Sequence, residues 1–479
     1  MIRALWRDGA IYALGTIVSR GLGLLLLPLY TYALPPDSFG LLDLIVTAGI
    51  LVNLVVPLET PQSLARLWNE RGEGMQRRVL AGTCFTFAAI GYTIFVVAIW
   101  HFAAPIASVL SGESADAGAV QAGAAFIAAS GLMLVLQAQF RSALRPRAYA
   151  MSGVAYSVLV LAGLSAMVAA GATSVSSVLW VQGGSAGVVS IACAWILRGD
   201  IAWGVDRHEL GKMLLFSLPL VPAGIAMFVT MSLHRFVLNS LGTLDEVGLF
   251  GLASRLASVG TLVLIGVQSA LTPLIYSHHH EAETPARLGR LLEGFWALSL
   301  LACLALAAFG PEVLSLLAAP AYGDASRLVV WLAPAALLSQ MYILAPGIPL
   351  AKKTGWQLAL TVLSGTTGLC LSVVLVPRWQ ALGAAVSACI ASALFFGAWL
   401  ILGQRLYPLP IRWGSLAVAT IVYVGLSVVA TQIMTWPPGV STWLAKSALL
   451  MILVLALGYM GLLRLKLMAW RRVQVREEI

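Results

Sequence analysis

Apolar runs of about 20 residues, each long enough to cross a ~30 Å hydrocarbon core as a helix, recur along the whole of this 479-residue chain. No other feature restricts the fold so tightly. Backbone inside hydrocarbon must satisfy its own N–H and C=O groups, so serial runs of this length mean a bundle of spanning helices. The runs lie at 11–34, 41–66, 80–102, 120–140, 148–170, 175–197, 214–238, 247–275, 288–310, 328–350, 357–376, 382–403, 413–434 and 444–464. Only 10% of the residues are charged, against about a quarter in soluble domains, too few to cover a water-facing surface. The expected fold is all-α and integral to the membrane, with about 14 transmembrane helices. The first run is too long for a signal-peptide core and lacks an A-x-A cleavage site, so it should remain as helix 1.

Charge sets the orientation. Arg66, Arg71, Arg77 and Arg78, then Arg141, Arg145 and Arg147, fall between spans on one side, and 23 of the 29 Lys and Arg follow the same alternation. Lys and Arg stay on the cytoplasmic side, which places both termini there, in a bacterial inner membrane. The net charge of +9 is mostly this signal; no basic stripe or RNA-binding motif points to nucleic acid. The loops are too short to hold a soluble catalytic domain, and no GxxxxGK[ST] loop exists for ATP. No catalytic constellation stands out, so the chain reads as a transporter without a cofactor. Cys84, Cys193, Cys303, Cys370 and Cys389 all lie in apolar runs without a CxxC pair, and read as small buried side chains. His278, His279 and His280, with Glu281 and Glu283, fit a solvated loop better than a metal site.

An internal repeat is visible. Asp37-Ser-Phe-Gly-Leu41 and Asp245-Glu-Val-Gly-Leu249 open spans 2 and 8 at an offset of 245 − 37 = 208, and Arg147 and Lys353 precede spans 5 and 11 at 206. Helices 1–6 would thus repeat as 7–12 in the same orientation, two six-helix bundles related by a parallel pseudo-two-fold. The expected division is 1–200, 201–404, and 405–479 for two further helices and a basic tail; that tail could also meet anionic lipid head groups.

Charges within spans are costly and mark candidate sites. Arg20 and Arg255 lie deep in spans 1 and 8, one in each repeat. A guanidinium is permanently charged and forks onto a phosphate, so these two are candidates to hold an anion in a central cleft. The alternative is a pair of arginines locked to carboxylates. Arg235 and Arg66 are nearer span ends and could equally snorkel. Asp43 fits an interfacial partner or a cation-coupling carboxylate. Glu59, in Pro57-Leu-Glu-Thr-Pro61, suggests a broken helix whose freed carbonyls would join it in holding Na⁺ or H⁺, or a mere counterion to Arg20 or Arg66. Asn53, Gln137, Gln182, Gln268 and Gln340 would either glue helices together or read sugar hydroxyls. Most tryptophans, such as Trp100, Trp195 and Trp413, sit near span ends as an aromatic belt.

Ser19-Arg20-Gly-Leu-Gly-Leu, a Pro-rich turn and Phe39-Gly40-Leu41 resemble the opening of Wzx-type polysaccharide flippases of the multidrug/oligosaccharidyl-lipid/polysaccharide (MOP) superfamily. Pro219-Leu-Val-Pro-Ala-Gly224, Arg235-Phe, Val247-Gly-Leu-Phe250, Tyr322-Gly-Asp-Ala325 and Val376-Pro-Arg-Trp-Gln-Ala-Leu-Gly-Ala-Ala385 extend the likeness through most of the chain. The resemblance implies an alternating-access carrier that moves an undecaprenyl-diphosphate-linked oligosaccharide, with Arg20 and Arg255 facing the phosphates. O-antigen, capsule or exopolysaccharide units are the implied cargo, and polysaccharide synthesis or polymerase proteins and membrane lipids the implied partners. Two positions depart from the pattern. His234-Arg235 stands where many relatives have Asp-Arg, and Leu26 stands where lipid II flippases carry a second arginine. An organic-cation antiporter of the same superfamily would need buried carboxylates toward its substrate, and a membrane glycan polymerase would need larger outer loops.

Overall fold

The computed structural model describes residues 2–70, 74–112, 116–261, 264, 275, 280–437 and 439–463, without the side chains of 2–14, 16, 17, 20 and 354. Sixteen helices and no strand occur among them. The first eight are α1 (Ile2–Ala33), α2 (Pro36–Val55), α3 (Thr60–Leu67), α4 (Met75–His101), α5 (Ala103–Leu110), α6 (Ala117–Ser142), α7 (Pro146–Ala169) and α8 (Val175–Ile196). Then come α9 (Arg207–Ser217), α10 (Leu220–Leu241), α11 (Leu244–Ala257), α12 (Thr284–Leu317), α13 (Ala325–Leu338), α14 (Thr354–Leu406), α15 (Trp413–Ile433) and α16 (Val440–Tyr459). Eleven helical segments are long and apolar enough to cross a membrane. They run between an arginine-rich face and a far face, and the protein is a multi-pass membrane protein.

One of those segments, α14, makes two of the expected crossings. Gln380 takes φ 48°, ψ −129°, and Ser364 Oγ donates to Ala391 O at 2.9 Å. In a straight helix those residues would be about 40 Å apart, so the chain has reversed. Three other expected spans are interrupted. The 41–66 run ends as a crossing at Val55, because Pro57 lacks a donor and Leu58 and Glu59 take left-handed φ of 47° and 55°. The 328–350 run stops at Leu338 and continues as a 3₁₀ turn (Met341–Leu344) and a single helical turn (Gly347–Leu350). The 247–275 run passes from α11 into a 3₁₀ turn at Ser258–Gly260, and most of its remainder lies outside the described residues. Short helices α3, α5 and α9 escaped notice because none is long enough to register as a span.

The repeat is built into the backbone. Leu144 and Lys352, 208 residues apart, both take left-handed φ (53° and 55°) at a helix end. The hydrogen bonds around them correspond: Arg145 N donates to Phe140 O (2.9 Å) as Lys353 N does to Ile348 O (3.2 Å). This is the six-to-one bond of a Schellman ending, with Leu and Lys where glycine is usual. Packing repeats too. Helix α1 lies on α7 as α10 lies on α14, and α4 on α6 as α12 on α13.

The two copies meet where α2 crosses α11. A Cβ on Gly40 would lie 2.1 Å from Leu244 O, and one on Gly248 would lie 2.0 Å from Pro36 O. These contacts exchange under the 208-residue offset, so a pseudo-two-fold axis passes between the paired glycines. Only glycine permits backbones this close.

Helices α15 and α16 are pinned to α12 near both faces. Arg412 reaches the Glu293 carboxylate (Nη2–Oε2 2.6 Å), and its two terminal nitrogens donate to Met460 O and Gly461 O, both at 3.0 Å, at the end of α16. A cation there offsets the negative end of the helix dipole. Near the far face, Lys446, 3% exposed, pairs with Glu312. The cysteines divide: Cys84, Cys193 and Cys303 are buried as expected, whereas Cys370 is exposed and Cys389 half-buried.

Two outcomes follow. Gly40→Val and Gly248→Val each lower the thermal midpoint of the detergent-solubilised protein by overpacking worth about 1–3 kcal/mol. Gly184→Ala, where an added Cβ meets nothing within 4 Å, leaves it unchanged. Lys446→Met strands Glu312 and destabilises by about 3–5 kcal/mol, while adding Glu312→Met restores most of the loss, read from the same melting curves.

Candidate functional site

About 10–16 Å from the far ends of their helices, one carboxylate and two guanidiniums meet across the α2 seam. Arg235 Nε on α10 donates to Asp43 Oδ2 at 2.7 Å, and Arg255 Nη2 on α11 donates to Asp43 Oδ1 at 3.1 Å. Asp43 is 5% exposed, so a carboxylate without partners there would cost several kcal/mol. The arginines answer that cost and leave the cluster one positive charge in excess. Gly251, which occupies Asp43's place in the second repeat, makes the room: a Cβ there would lie 2.7 Å from Asp43 Cγ.

Aromatic rings hold the guanidiniums in place. Arg255 Cζ lies 4.7 Å from the Phe39 ring centroid and 5.6 Å from that of Tyr30, both in the first repeat, and Arg235 Cζ lies 5.4 Å from Phe250. Tyr322 meets Phe39 edge-on at 5.8 Å and donates to Leu34 O at 2.8 Å. The short motifs around Phe39, Gly248, Phe250 and Tyr322, dispersed in sequence, therefore converge on one closed seam. It extends toward the arginine-rich face, where a Cβ on Gly224 would lie 2.2 Å from Leu54 Cδ1.

Beside the seam, a cleft of ≈ 260 Å³, open to solvent, lies among α10, α11, α13 and α14. Arg235 and His234 stand at its wall, together with Gln340, eight serine and threonine residues, and the rings of Phe250 and Phe395. Among the described residues no carboxylate lines it. His234 Nδ1 is engaged by Ser372 Oγ at 2.8 Å.

The remaining candidates lie elsewhere. Arg66 is on α3, 59% exposed and paired one turn away with Glu70. Glu59 sits in the break before α3, where its carboxylate accepts from Gln62 Nε2 at 3.0 Å. The helix is broken there as expected, yet Thr60 Oγ1 occupies the Pro57 carbonyl at 2.7 Å. At 1.5 Å per residue the break is about 18 Å along α2 from Asp43, so Arg66 and Glu59 are not gathered with the arginine cluster. The backbone of Arg20 lies within α1, and its side chain is outside the described part. Gln268, His278, His279 and the tail from Arg464 to Arg476 also lie outside it. No metal-binding cluster occurs among the described residues. Three amides act as glue between helices: Asn53 accepts from Tyr92 (2.9 Å), Gln137 donates to Ser152 (3.0 Å), and Gln182 to Tyr30 (3.0 Å).

Sequence reasoning passed over the seam glycines and the hydroxyl-rich cleft. Gly40, Gly248 and Gly251 carried a small-residue signal that could have marked a helix crossing. The serines and threonines carried none, because single hydroxyls are common in spanning helices.

A polysaccharide biosynthesis protein family model matches residues 5–279. No curated protein matches the chain. Among solved structures, the lipid II flippase MurJ in an inward closed conformation is similar at a TM-score of 0.72 and 11% identity, covering 95% of this chain and 100% of that one. An inward-facing multidrug resistance MATE family transporter of the MOP superfamily is similar at 0.62 and 16% identity, over 83% and 94% of the two chains. An outward-facing one is similar at 0.55 and 18% identity, over 84% and 94%. The last two together show the fold of MOP transporters, and the family model, spanning more than half of the chain, shows that this multi-pass membrane protein belongs to the polysaccharide biosynthesis protein family.

Proposed function

We propose that the protein flips an undecaprenyl-diphosphate-linked oligosaccharide, an O-antigen, capsule or exopolysaccharide unit, from the cytoplasmic to the outer leaflet by alternating access. The observation that carries this reading is the Asp43–Arg235–Arg255 cluster. Two arginines share one carboxylate contributed by the other repeat, so an arriving diphosphate can take over the guanidiniums and release the seam. Phosphate and guanidinium match as forks, and the exchange keeps each cation paired throughout. The cost of transport is that of carrying charge and many hydroxyls through hydrocarbon, and a cationic, hydrated cleft lowers it.

The family match and the likeness to a lipid II flippase support the cargo class. The division into 1–200, 201–404 and 405–479 supplies two bodies that rock about the α2–α11 crossing, with α15 and α16 carried on the second. The arginine-rich face is cytoplasmic by the distribution of Lys and Arg, so both termini lie inside, in the inner membrane. The Asp43 latch then sits toward the outer leaflet. Arg20 joins Arg255 as a phosphate ligand, Glu59 in its helix break is the coupling site for Na⁺ or H⁺, and polysaccharide polymerases are the partners that receive the product. Export of organic cations is disfavoured, since the cleft presents Arg235 and no described carboxylate.

In proteoliposomes holding a short undecaprenyl-diphosphate oligosaccharide, wild-type protein exposes the glycan to external lectin rapidly. Arg255→Ala and Arg235→Ala slow exposure by about tenfold or more, the loss expected from one charge-assisted contact. A wild-type rate equal to that of empty liposomes would sink the reading. Asp43→Asn loosens the latch: with Cys370 and Cys389 replaced, a cysteine placed at Ser254 becomes several-fold more reactive to an impermeant maleimide added outside. Glu59→Gln abolishes gradient-driven accumulation of flipped lipid while leaving downhill exchange intact.

A further inference from the structure

The cleft among α10, α11, α13 and α14 has a chemistry of its own. Six of its hydroxyls are already committed as donors. Thr230 donates to Ala226 O (2.9 Å), Ser258 to Arg255 O (2.7 Å) and Thr261 to Ser258 O (2.6 Å). Ser339 donates to Ala336 O (2.8 Å), Thr361 to Gln357 O (2.9 Å) and Ser364 to Ala391 O (2.9 Å). With its proton spent on the backbone, each oxygen keeps only lone pairs to offer, so those that reach the cleft call for a ligand rich in donors. The side chains of Ser254, Ser392 and Gln340 make no hydrogen bond to another described residue, and they offer both donors and acceptors.

Two further features narrow the ligand. Phe395, set edge-on to Tyr342 (6.0 Å) and tilted against Trp399 (5.7 Å), brings an aromatic ring to the cleft wall. An aromatic ring suits the C–H-bearing side of a pyranose. Second, the cleft's arginine, Arg235, is paired with Asp43, and no described carboxylate lines the wall. A bare cation finds no counter-charge there, and an acidic group would have to compete with Asp43 for Arg235. The helices also break where they border the cleft, α11 passing into a 3₁₀ turn at Ser258–Gly260 and α13 ending at Leu338. Irregular backbone at membrane depth is tolerated where it lines a hydrated cavity.

We propose that this cleft is the subsite for neutral sugar residues of the lipid-linked glycan, with the diphosphate held at its rim by Arg255. The proposal rests on the flippase reading and assigns the two chemical halves of the head group to different walls. The cleft's volume of ≈ 260 Å³ lies just below the about 300–1,000 Å³ typical of ligand pockets, so it would take part of the glycan and leave the rest in the solvent at its mouth.

The test uses the full-length protein in nanodiscs and two probes, undecaprenyl diphosphate and the same lipid bearing a trisaccharide of neutral hexoses. The expected result is that the glycosylated probe binds more tightly than the bare one. Gln340→Leu with Ser392→Ala removes most of that preference, about tenfold, yet leaves the affinity for undecaprenyl diphosphate unchanged. Retained affinity for the bare lipid shows that the variant is folded. Arg255→Ala weakens both probes. As an independent readout, alkylation of a Ser392→Cys variant slows in the presence of the glycosylated probe and not of the bare one. Equal affinity of wild type for the two probes, or a preference untouched in the double variant, overturns the sugar subsite while leaving the phosphate reading standing. Loss of both probes' binding in wild type overturns the flippase reading as well.

Discussion

A carboxylate buried at the crossing of two repeats is what the rest of this structure is arranged around. Asp43 is nearly inaccessible, and a carboxylate so placed must be neutralised. Its neutralising groups, Arg235 and Arg255, arrive from the second repeat, so the ion pairs close the seam as they satisfy the charge. The closure needs α2 and α11 in backbone contact, which Gly40, Gly248 and Gly251 permit. It also needs the guanidiniums held flat, which Phe39, Tyr30 and Phe250 achieve. Breaking the seam without supplying another anion would strand both arginines at membrane depth. On the proposed function, the same constraint that holds the helices together makes an anion the agent of opening.

The repeat is symmetric in its backbone and asymmetric in its chemistry. The paired left-handed residues Leu144 and Lys352 and the exchanged glycine contacts keep a 208-residue offset. At the charged seam the copies diverge: Asp43 in one answers to Gly251 in the other. The hydroxyl-lined cleft belongs wholly to helices of the second repeat, among the described residues. On the proposed function, the symmetric frame serves two bodies rocking about a common axis, and the asymmetric lining serves the one that grips the polar cargo.

Much of this was legible in advance, and the parts that were not share a cause. The spans and their alternating charge could be read because hydrophobicity acts locally, over some twenty residues. The helix break at Glu59 was legible because Pro57 and Pro61 act on their own neighbours. Arg235, Arg255 and Asp43 were each singled out, yet their union was not, with anion binding and structural pairing left open for Arg255. About 190 to 210 residues separate Asp43 from its partners, and no local pattern encodes that contact. Asn53, Gln137 and Gln182 looked equivalent to Gln340 by type and depth; the fold turns the first three toward neighbouring helices and the last into the cleft. Cys370 was expected to be buried because its run is apolar, but in lipid an apolar run has an exposed side too.

By itself, the sequence determined that the chain spans a membrane many times, that its basic residues gather on one face, and that it repeats itself at an offset of 208. Those properties follow from transfer free energies and local backbone preferences, which depend on residue type and near neighbours alone. Only the tertiary structure decided which charges pair, where α14 turns back at Gln380, which glycines touch, and which hydroxyls face a common cleft. Such choices depend on distances between segments far apart in the chain, and these are set when the helices pack.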